Sequence, residues 1–298
     1  MKLGICVLNW NAGPVLTESV ESLLDASRLF VSDLVVVDND SRDASVAQFR
    51  ERFPEVQVIE NPSNLGYARG NNVGARHLLD HGCDLLLFAN PDVIVGEAAL
   101  SALIRTLEAV LDAGCCGGLP INSKGISRAA CRTKPSLLEK FVLYSPLSYL
   151  PMTRPLRRRH YLEPDSLDDG SPVFAISGAM VLFRAAAFHQ IGGFDEATFL
   201  YEEELIAAER LAAAGWKTLI STSCRYFHSE AHSSRHMPYR RRLHFIHSEQ
   251  YLLRRYYRLN TAALLLWRLY RHLESIPAYT KAFLQRFIPG PALAGFKR

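Results

Sequence analysis

Four short apolar runs, separated by stretches of helical spacing, constrain this chain most. Leu3 to Leu8, Leu34 to Val37 and Leu85 to Phe88 are unbroken apolar runs, and Val56 to Ile59, interrupted by Gln57, reads as a further strand. Unbroken runs of this length suit strands buried on both faces. Pro14 to Leu24, Ser45 to Phe53 and Gly70 to Leu79 lie between them, and Glu97 to Leu111 follows the fourth. In these stretches apolar residues recur three and four apart, as on a helix. Strands that alternate with helices need crossover connections. The order therefore predicts an α/β chain with a doubly wound, mostly parallel sheet.

Polar residues close three of the runs: Asn9-Trp-Asn-Ala-Gly13, Asp38-Asn-Asp-Ser41 and Asn90-Pro-Asp92. Pro91 has no amide hydrogen and cannot continue a central strand. The chain leaves the sheet there with an amide and a carboxylate side by side. In open α/β sheets the carboxyl edge of the strands binds ligands. Mg²⁺ and Mn²⁺ in phosphate chemistry take one or two carboxylates and fill the other positions with substrate oxygens and water. Asp92, helped by Asn90, suits that use; a plain Asn-Pro-Asp turn is the alternative. Asn61 to Asn72 is turn-rich and runs into a helix start, where free amides suit a phosphate. It carries neither a GxxxxGK[ST] loop nor the dinucleotide fingerprint.

Glu202, Glu203 and Glu204 precede a helix over Glu202 to Ala213. Acidic residues in a first turn suit the macrodipole. Three adjacent carboxylates also repel one another, and a buried one has a raised pKa, which suits a general base. His228 sits in a polar cluster that ends at Ser234, as a metal ligand, a phosphate donor or a surface histidine.

The later chain is harder to read. Residues 119–170 are rich in Pro, Ser, Arg and aromatics, with a basic run at Arg154 to His160, and predict irregular structure. Val173 to Phe183 is apolar but broken at Ser177-Gly178; Arg184 to Gln190 reads as a short helix and Lys217 to Ile220 as a strand. From Pro238 the chain is helical, basic and aromatic. That suits an ordinary packing pair of helices, or a segment lying on an anionic membrane surface near a lipid-linked acceptor. The net charge of +4 is too mild to indicate a nucleic-acid binder. Six cysteines show no CxxC pair and no zinc spacing, which favours a reducing compartment. The N-terminal apolar run is too short for a signal peptide. The expected location is the cytoplasm, including the inner face of its membrane.

Five ordered motifs together resemble the inverting GT-A glycosyltransferases of family 2, in the bacterial rhamnosyltransferase-like branch. They are Val7-Leu-Asn-Trp-Asn11, Val36-Val-Asp-Asn-Asp-Ser41, Asn64-Leu-Gly-Tyr-Ala-Arg-Gly-Asn-Asn72, Asn90-Pro-Asp92, and Ser177-Gly-Ala-Met180 with Gly192-Gly-Phe-Asp195 and Glu203-Glu204 through Ala214-Gly-Trp216. The resemblance implies a GT-A fold: one doubly wound, mostly parallel (mixed) sheet flanked by helices, with a C-terminal helical segment. It implies a catalytic domain over 1–237, with a nucleotide-sugar half (1–118) and an acceptor half (119–237), then a helical extension over 238–298. Leu8, Asn9, Asp38 and Ser41 match positions that meet base and ribose. Asn64, Gly66, Arg69 and Asn71 match the loop beside the nucleotide and diphosphate. Asn90 and Asp92 match the metal motif, with Asn90 where many members carry aspartate. His228 with Ser233 resembles a late H-x4-S element near Mg²⁺ or Mn²⁺ and the diphosphate. Glu204 aligns with the base, with Glu203 beside it; Ser177, Gly178 and Trp216 fall on the acceptor side. The implied reaction is inverting transfer of a sugar, best matched by L-rhamnose from dTDP-rhamnose, to a saccharide or lipid-linked acceptor in cell-surface polysaccharide synthesis. A UDP-sugar donor, a nucleotidyltransferase and a catalytically silent nucleotide-sugar-binding subunit are the alternatives.

Overall fold

In the computed structural model, residues 1–123, 125–127, 130–229 and 238–287 are described. The chain begins β1 (Lys2–Asn9), α1 (Val15–Ala26), β2 (Val31–Asp38), α2 (Ser45–Arg52), β3 (Gln57–Glu60), α3 (Gly66–Asp80) and β4 (Leu85–Ala89). β1 pairs in parallel with β2 and with β4, and β2 with β3. The alternation seen in the sequence thus builds half of the sheet. β4 is buried at every residue, as its unbroken apolar run requires. α3 starts four residues before the expected Gly70. Gly66, at φ +81°, opens it: Tyr67 donates to the Phe199 carbonyl, and a Cβ on Gly66 would lie 2.4 Å from that oxygen.

The chain continues through β5 (Val93–Ile94), α4 (Glu97–Glu108), β6 (Ala113–Asn122), β7 (Gly125–Ile126), β8 (Cys131–Arg132), α5 (Leu137–Leu143), α6 (Arg154–His160), β9 (Ser171–Val173), β10 (Ala175–Ile176), β11 (Met180–Arg184), α7 (Ala185–Gln190), α8 (Glu203–Ala213), β12 (Lys217–His228), α9 (Pro238–Arg255) and α10 (Thr261–Phe287). The main sheet runs β3-β2-β1-β4-β11-β6-β12-β5. β11 is antiparallel to both neighbours and joins the parallel half to a second parallel pair, β6 with β12. Two buried layers result, one on each sheet face. Val20, Leu23 and Leu103 lie in one; Leu78, Phe88 and Phe194 lie in the other.

Three expectations change. β6 runs on to Asn122, into the stretch from 119 that the sequence reads as irregular; Gly117 and Gly118 within it let Ile176 and Cys224 pack directly on the strand. Residues 119–170 are not irregular throughout. The basic run Arg154 to His160 is α6, and α5 is fixed by a capping box between Ser136 and Glu139. β12 extends eight residues beyond Ile220, past an irregularity that ends at Arg225. Among the described residues, no helix is long and apolar enough to cross a membrane.

Gly74 of α3 lies against β1, where an added Cβ would fall 2.3 Å from the Cys6 sulfur and 3.0 Å from Val37 Cγ2. Helix propensity favours Gly→Ala by about 1 kcal/mol, whereas overpacking a closed core costs about 1–3 kcal/mol. Cys6 is fully buried and cannot withdraw. Gly74→Ala is therefore expected to lower the unfolding midpoint in urea, and an unchanged or raised midpoint contradicts this packing.

Candidate active site

Parallel strands that end together leave their next residues at one edge. β1 and β2 are in register from Lys2↔Val31 to Asn9↔Asp38, which brings those last two side chains face to face. Asn9 Nδ2 donates to Asp38 Oδ1 at 2.8 Å and to the Ser41 and Ser45 hydroxyls at 3.1 and 3.0 Å. Asp38 Oδ2 accepts from the Ser41 amide at 2.9 Å. Asn9 and Asp38 are buried, so this knot holds the loops and is not itself part of the adjoining wall. The wall is made by Leu8, Trp10 and Asn39, together with Asn64 and Gly66. Asn39 Nδ2 donates to the Gly66 carbonyl, and Asn61 donates to Asn39 Oδ1.

These residues border a cleft of about 610 Å³. On one side lie Asn90, Pro91, Asp92 and His228. β5 pairs with the end of β12 so that His228 faces Val93, the neighbour of Asp92. His228 Nε2 is 3.3 Å from Asp92 Oδ1 and 3.4 Å from Asn90 Nδ2, and the Ser229 hydroxyl donates to Asp92 Oδ2 at 2.9 Å. Among the described residues no group of three or more His, Cys, Asp or Glu is placed to hold a metal ion by itself. One carboxylate and one imidazole nonetheless fit a cation whose other positions belong to substrate oxygens and water. Neighbouring ligands on an octahedral Mg²⁺ or Mn²⁺ are about 3 Å apart, close to the Asp92–His228 spacing.

Ser177, Gly178, Glu203 and Glu204 line the same cleft. Glu204 Oε1 accepts from the Gly178 amide at 3.2 Å, and its Oε2 is 4.0 Å from Arg132 Nη2. A Cβ on Gly178 would sit 2.9 Å from Glu204 Cγ and Oε1, so only glycine admits this contact. Tyr67 donates to the Gly178 carbonyl at 2.8 Å. Burial, and then the charges of Glu203 and Glu204, push its phenol well above 10, so it remains a donor. Glu202 is different: its carboxylate pairs with buried Lys140 at 2.7 Å. Glu203 is buried and its Oε2 makes no hydrogen bond. Burial first, then the charge of Glu204, raises its pKa well above 4.5.

Besides Asn9, Asp38 and Ser41, three expected residues lie away from the cleft lining. Trp216 is at the far end of the twelve-residue β12 from His228, and its indole donates to Gln190; it followed Ala214-Gly215 in the motif, but that marker only ends α8. Arg69 projects outward and pairs with Glu196. Asn71 is buried behind the wall and donates to the Tyr67 carbonyl. Ser233 lies outside the described residues. Conversely, Tyr67, Phe199, Tyr201, Arg240, Arg241 and His244 line the cleft without having been singled out. The spacing of 240, 241 and 244 on one helix face was the available signal.

The pKa of Glu203 has a definite sign for stability. An acid raised on folding opposes folding once pH exceeds its unfolded value, near 4.5. Glu203→Gln removes that opposition. It is expected to raise the thermal midpoint at pH 8 and to leave it near the parent's at pH 4; an equal gain at both pH values contradicts the assignment.

Residues 4–192 match the model of glycosyl transferase family 2. The N-acetylglucosaminyl-diphospho-decaprenol L-rhamnosyltransferase of Mycobacterium tuberculosis (strain H37Rv) is 31% identical over 243 residues, 78% of this chain and 77% of that protein. The low-salt glycan biosynthesis hexosyltransferase Agl10 of Haloferax volcanii is 25% identical over 205 residues, 68% of this chain and 59% of that protein. The mannosyltransferase PcManGT from Pyrobaculum calidifontis, solved with GDP-Man and Mn²⁺, superposes with a TM-score of 0.58 at 15% identity, over 97% of this chain and 76% of its own. S. aureus TarS 1–349 with UDP-GlcNAc gives 0.54 at 16% identity, over 91% of this chain and 72% of its own. The two structures share the GT-A type of fold with the present sheet. On the extent of the family match, the chain belongs to glycosyl transferase family 2, in its rhamnosyltransferase-like branch, and is a glycosyltransferase.

Proposed function

We propose that this enzyme transfers a sugar with inversion from a nucleoside-diphosphate donor to a saccharide or lipid-linked acceptor in cell-surface polysaccharide synthesis. The best-supported sugar is L-rhamnose, on the strength of the mycobacterial N-acetylglucosaminyl-diphospho-decaprenol L-rhamnosyltransferase, and the nucleotide in this reading is dTDP. The observation that carries the reading is the placement of Glu204 in the same cleft as the Asp92–His228 pair.

Glu204 takes the acceptor's hydroxyl proton as that oxygen attacks the anomeric carbon from the face opposite the leaving diphosphate. The Gly178 amide and Arg132 keep its carboxylate oriented toward the cleft. The sugar passes through an oxocarbenium-like state. Asp92 and His228, with Asn90 beside them, would hold Mg²⁺ or Mn²⁺. When bound, that ion neutralises charge on the departing diphosphate. Arg240 and Arg241 bring cationic groups to the cleft, which suits phosphate-bearing substrates.

The C-terminal segment supports contact with an anionic membrane. Residues 238–298 carry twelve Lys and Arg against two acids, Glu249 and Glu274. Both acids are spent in ion pairs with Arg271. α10 turns Trp267 and Arg271 inward and leaves Leu265, Leu266, Leu269, Leu273 and Ile276 more than half exposed on one face. An apolar stripe beside basic residues suits a lipid headgroup layer.

A general base contributes about 10²- to 10⁴-fold in rate. Glu204→Gln should lose activity on that scale and still show donor-dependent thermal stabilisation; full turnover sinks the assignment, and Glu203→Gln is the control. Asp92→Ala should abolish the divalent-dependent part of stabilisation by dTDP-rhamnose, and a variant stabilised as well as the parent rejects this metal site. Leu266→Ser with Leu269→Ser and Leu273→Ser should reduce salt-sensitive co-sedimentation with phosphatidylglycerol vesicles. Undiminished binding removes the membrane reading and leaves the transfer reading standing.

A further inference from the structure

Four buried charged side chains join the C-terminal helices to the turn before Glu203. Arg271 of α10 grips Glu249 of α9 through Nε at 2.6 Å and Nη2 at 2.7 Å. It also donates to the carbonyl oxygens of Lys140 and Tyr144 at 2.9 and 3.1 Å. Lys140 Nζ of α5 lies 3.8 Å from Glu249 and 2.7 Å from Glu202. Lys140, Glu249 and Arg271 are wholly buried, and Glu202 is 5% exposed. α9 holds the neighbouring residues as well. Ser248 donates to the Leu200 carbonyl at 2.8 Å, and Arg241 Nε donates to the Tyr201 hydroxyl at 2.7 Å.

Stability alone does not account for this chain of charges. Each buried ion costs several kcal/mol in desolvation, and apolar residues of similar volume often serve as well. A second cost sits at the end of the chain. Tyr201 and Glu202 are both left-handed, at φ +73° and +68°, where residues with a side chain lose roughly 1–2 kcal/mol each. Strain of this kind persists where the surroundings over-determine it, and it gathers at functional sites. The next two residues are Glu203 and Glu204, the first turn of α8.

We infer that Arg271, Glu249, Lys140 and Glu202 form a positioning device for the base: they lock the Tyr201–Glu202 turn and so set the direction in which Glu204 enters the cleft. None of the four lines the cleft. The inference rests on the proposed role of Glu204. It gives the C-terminal helices a part in sugar transfer to any acceptor, including one free in water, which membrane docking does not require.

The paired variant Lys140→Met with Glu202→Gln removes both charges at once and leaves the Arg271–Glu249 pair intact. Assayed in the full-length enzyme with dTDP-rhamnose and a water-soluble saccharide acceptor, it should lose about 10- to 100-fold in kcat, the scale of a misplacement near 1 Å. The donor KM and the donor-induced thermal shift should stay at the parent's values. Arg271→Lys keeps the charge but loses the planar fork, and should show the same loss confined to kcat. Parent kcat in the folded paired variant overturns the inference. If that variant does not fold, parent kcat in Arg271→Lys overturns it, and so does a fall in kcat matched by a lost donor shift. Glu204→Gln is assayed beside them. Its full turnover would reject the base itself, whereas its inactivity with unchanged network variants would reject the positioning device alone.

Discussion

β11 is the strand on which the rest of the molecule depends. It bonds to β4 on one side and to β6 on the other, antiparallel to both. Without it the β3-β2-β1-β4 half would end in an unpaired edge, and β6 with β12 would be a separate ribbon. Its direction matters as much as its pairing. An antiparallel neighbour begins where β4 ends, so the residues just before β11 fall beside those just after β4. The Asn90 amide donates to the Ala179 carbonyl at 2.8 Å, and Gly178 is the next residue back. One backbone bond therefore ties the Asp92 edge of the cleft to the glycine that receives Glu204.

The first half of the fold was legible because its inner strands β1 and β4 are buried in a regular way, while β3 at the sheet edge is only partly covered. Fully buried strands need unbroken apolar runs, and Leu85 to Phe88 could not be read otherwise. Legibility failed where a strand's burial is carried by small residues. β6 contains Ala113-Gly-Cys-Cys-Gly-Gly118, all buried; Ile176 and Cys224 press on Gly117 and Gly118, and Leu211 and Trp216 on Gly114, from distant parts of the chain. No local pattern records such a neighbour. The capping box at Ser136 and Glu139 is a local signal, set among prolines and arginines that obscure it.

At the site, the residues at strand ends were legible, because parallel register dictates where they go. Asn9 and Asp38 end neighbouring strands and bond to each other, yet both stay behind the wall. Whether a polar side chain faces a ligand or a neighbour depends on partners that are far away in sequence. The same is true of the three glutamates, which look alike in the chain. Lys140, some sixty residues earlier, removes Glu202 from the cleft, while Gly178 accepts Glu204 into it.

The left-handed pair Tyr201–Glu202 and its four-membered ionic support have an evolutionary consequence. Breaking a buried pair by changing one partner strands the other charge, at a cost of about 3–5 kcal/mol, a large fraction of a typical domain's stability. Positions 140, 202, 249 and 271 therefore cannot drift one at a time. They come from an early helix, the turn before α8 and both C-terminal helices, so a recombination that brought in a foreign C-terminal segment would also break the link to Glu202. A replacement tail that keeps the support of Glu202 has to carry both Glu249 and Arg271.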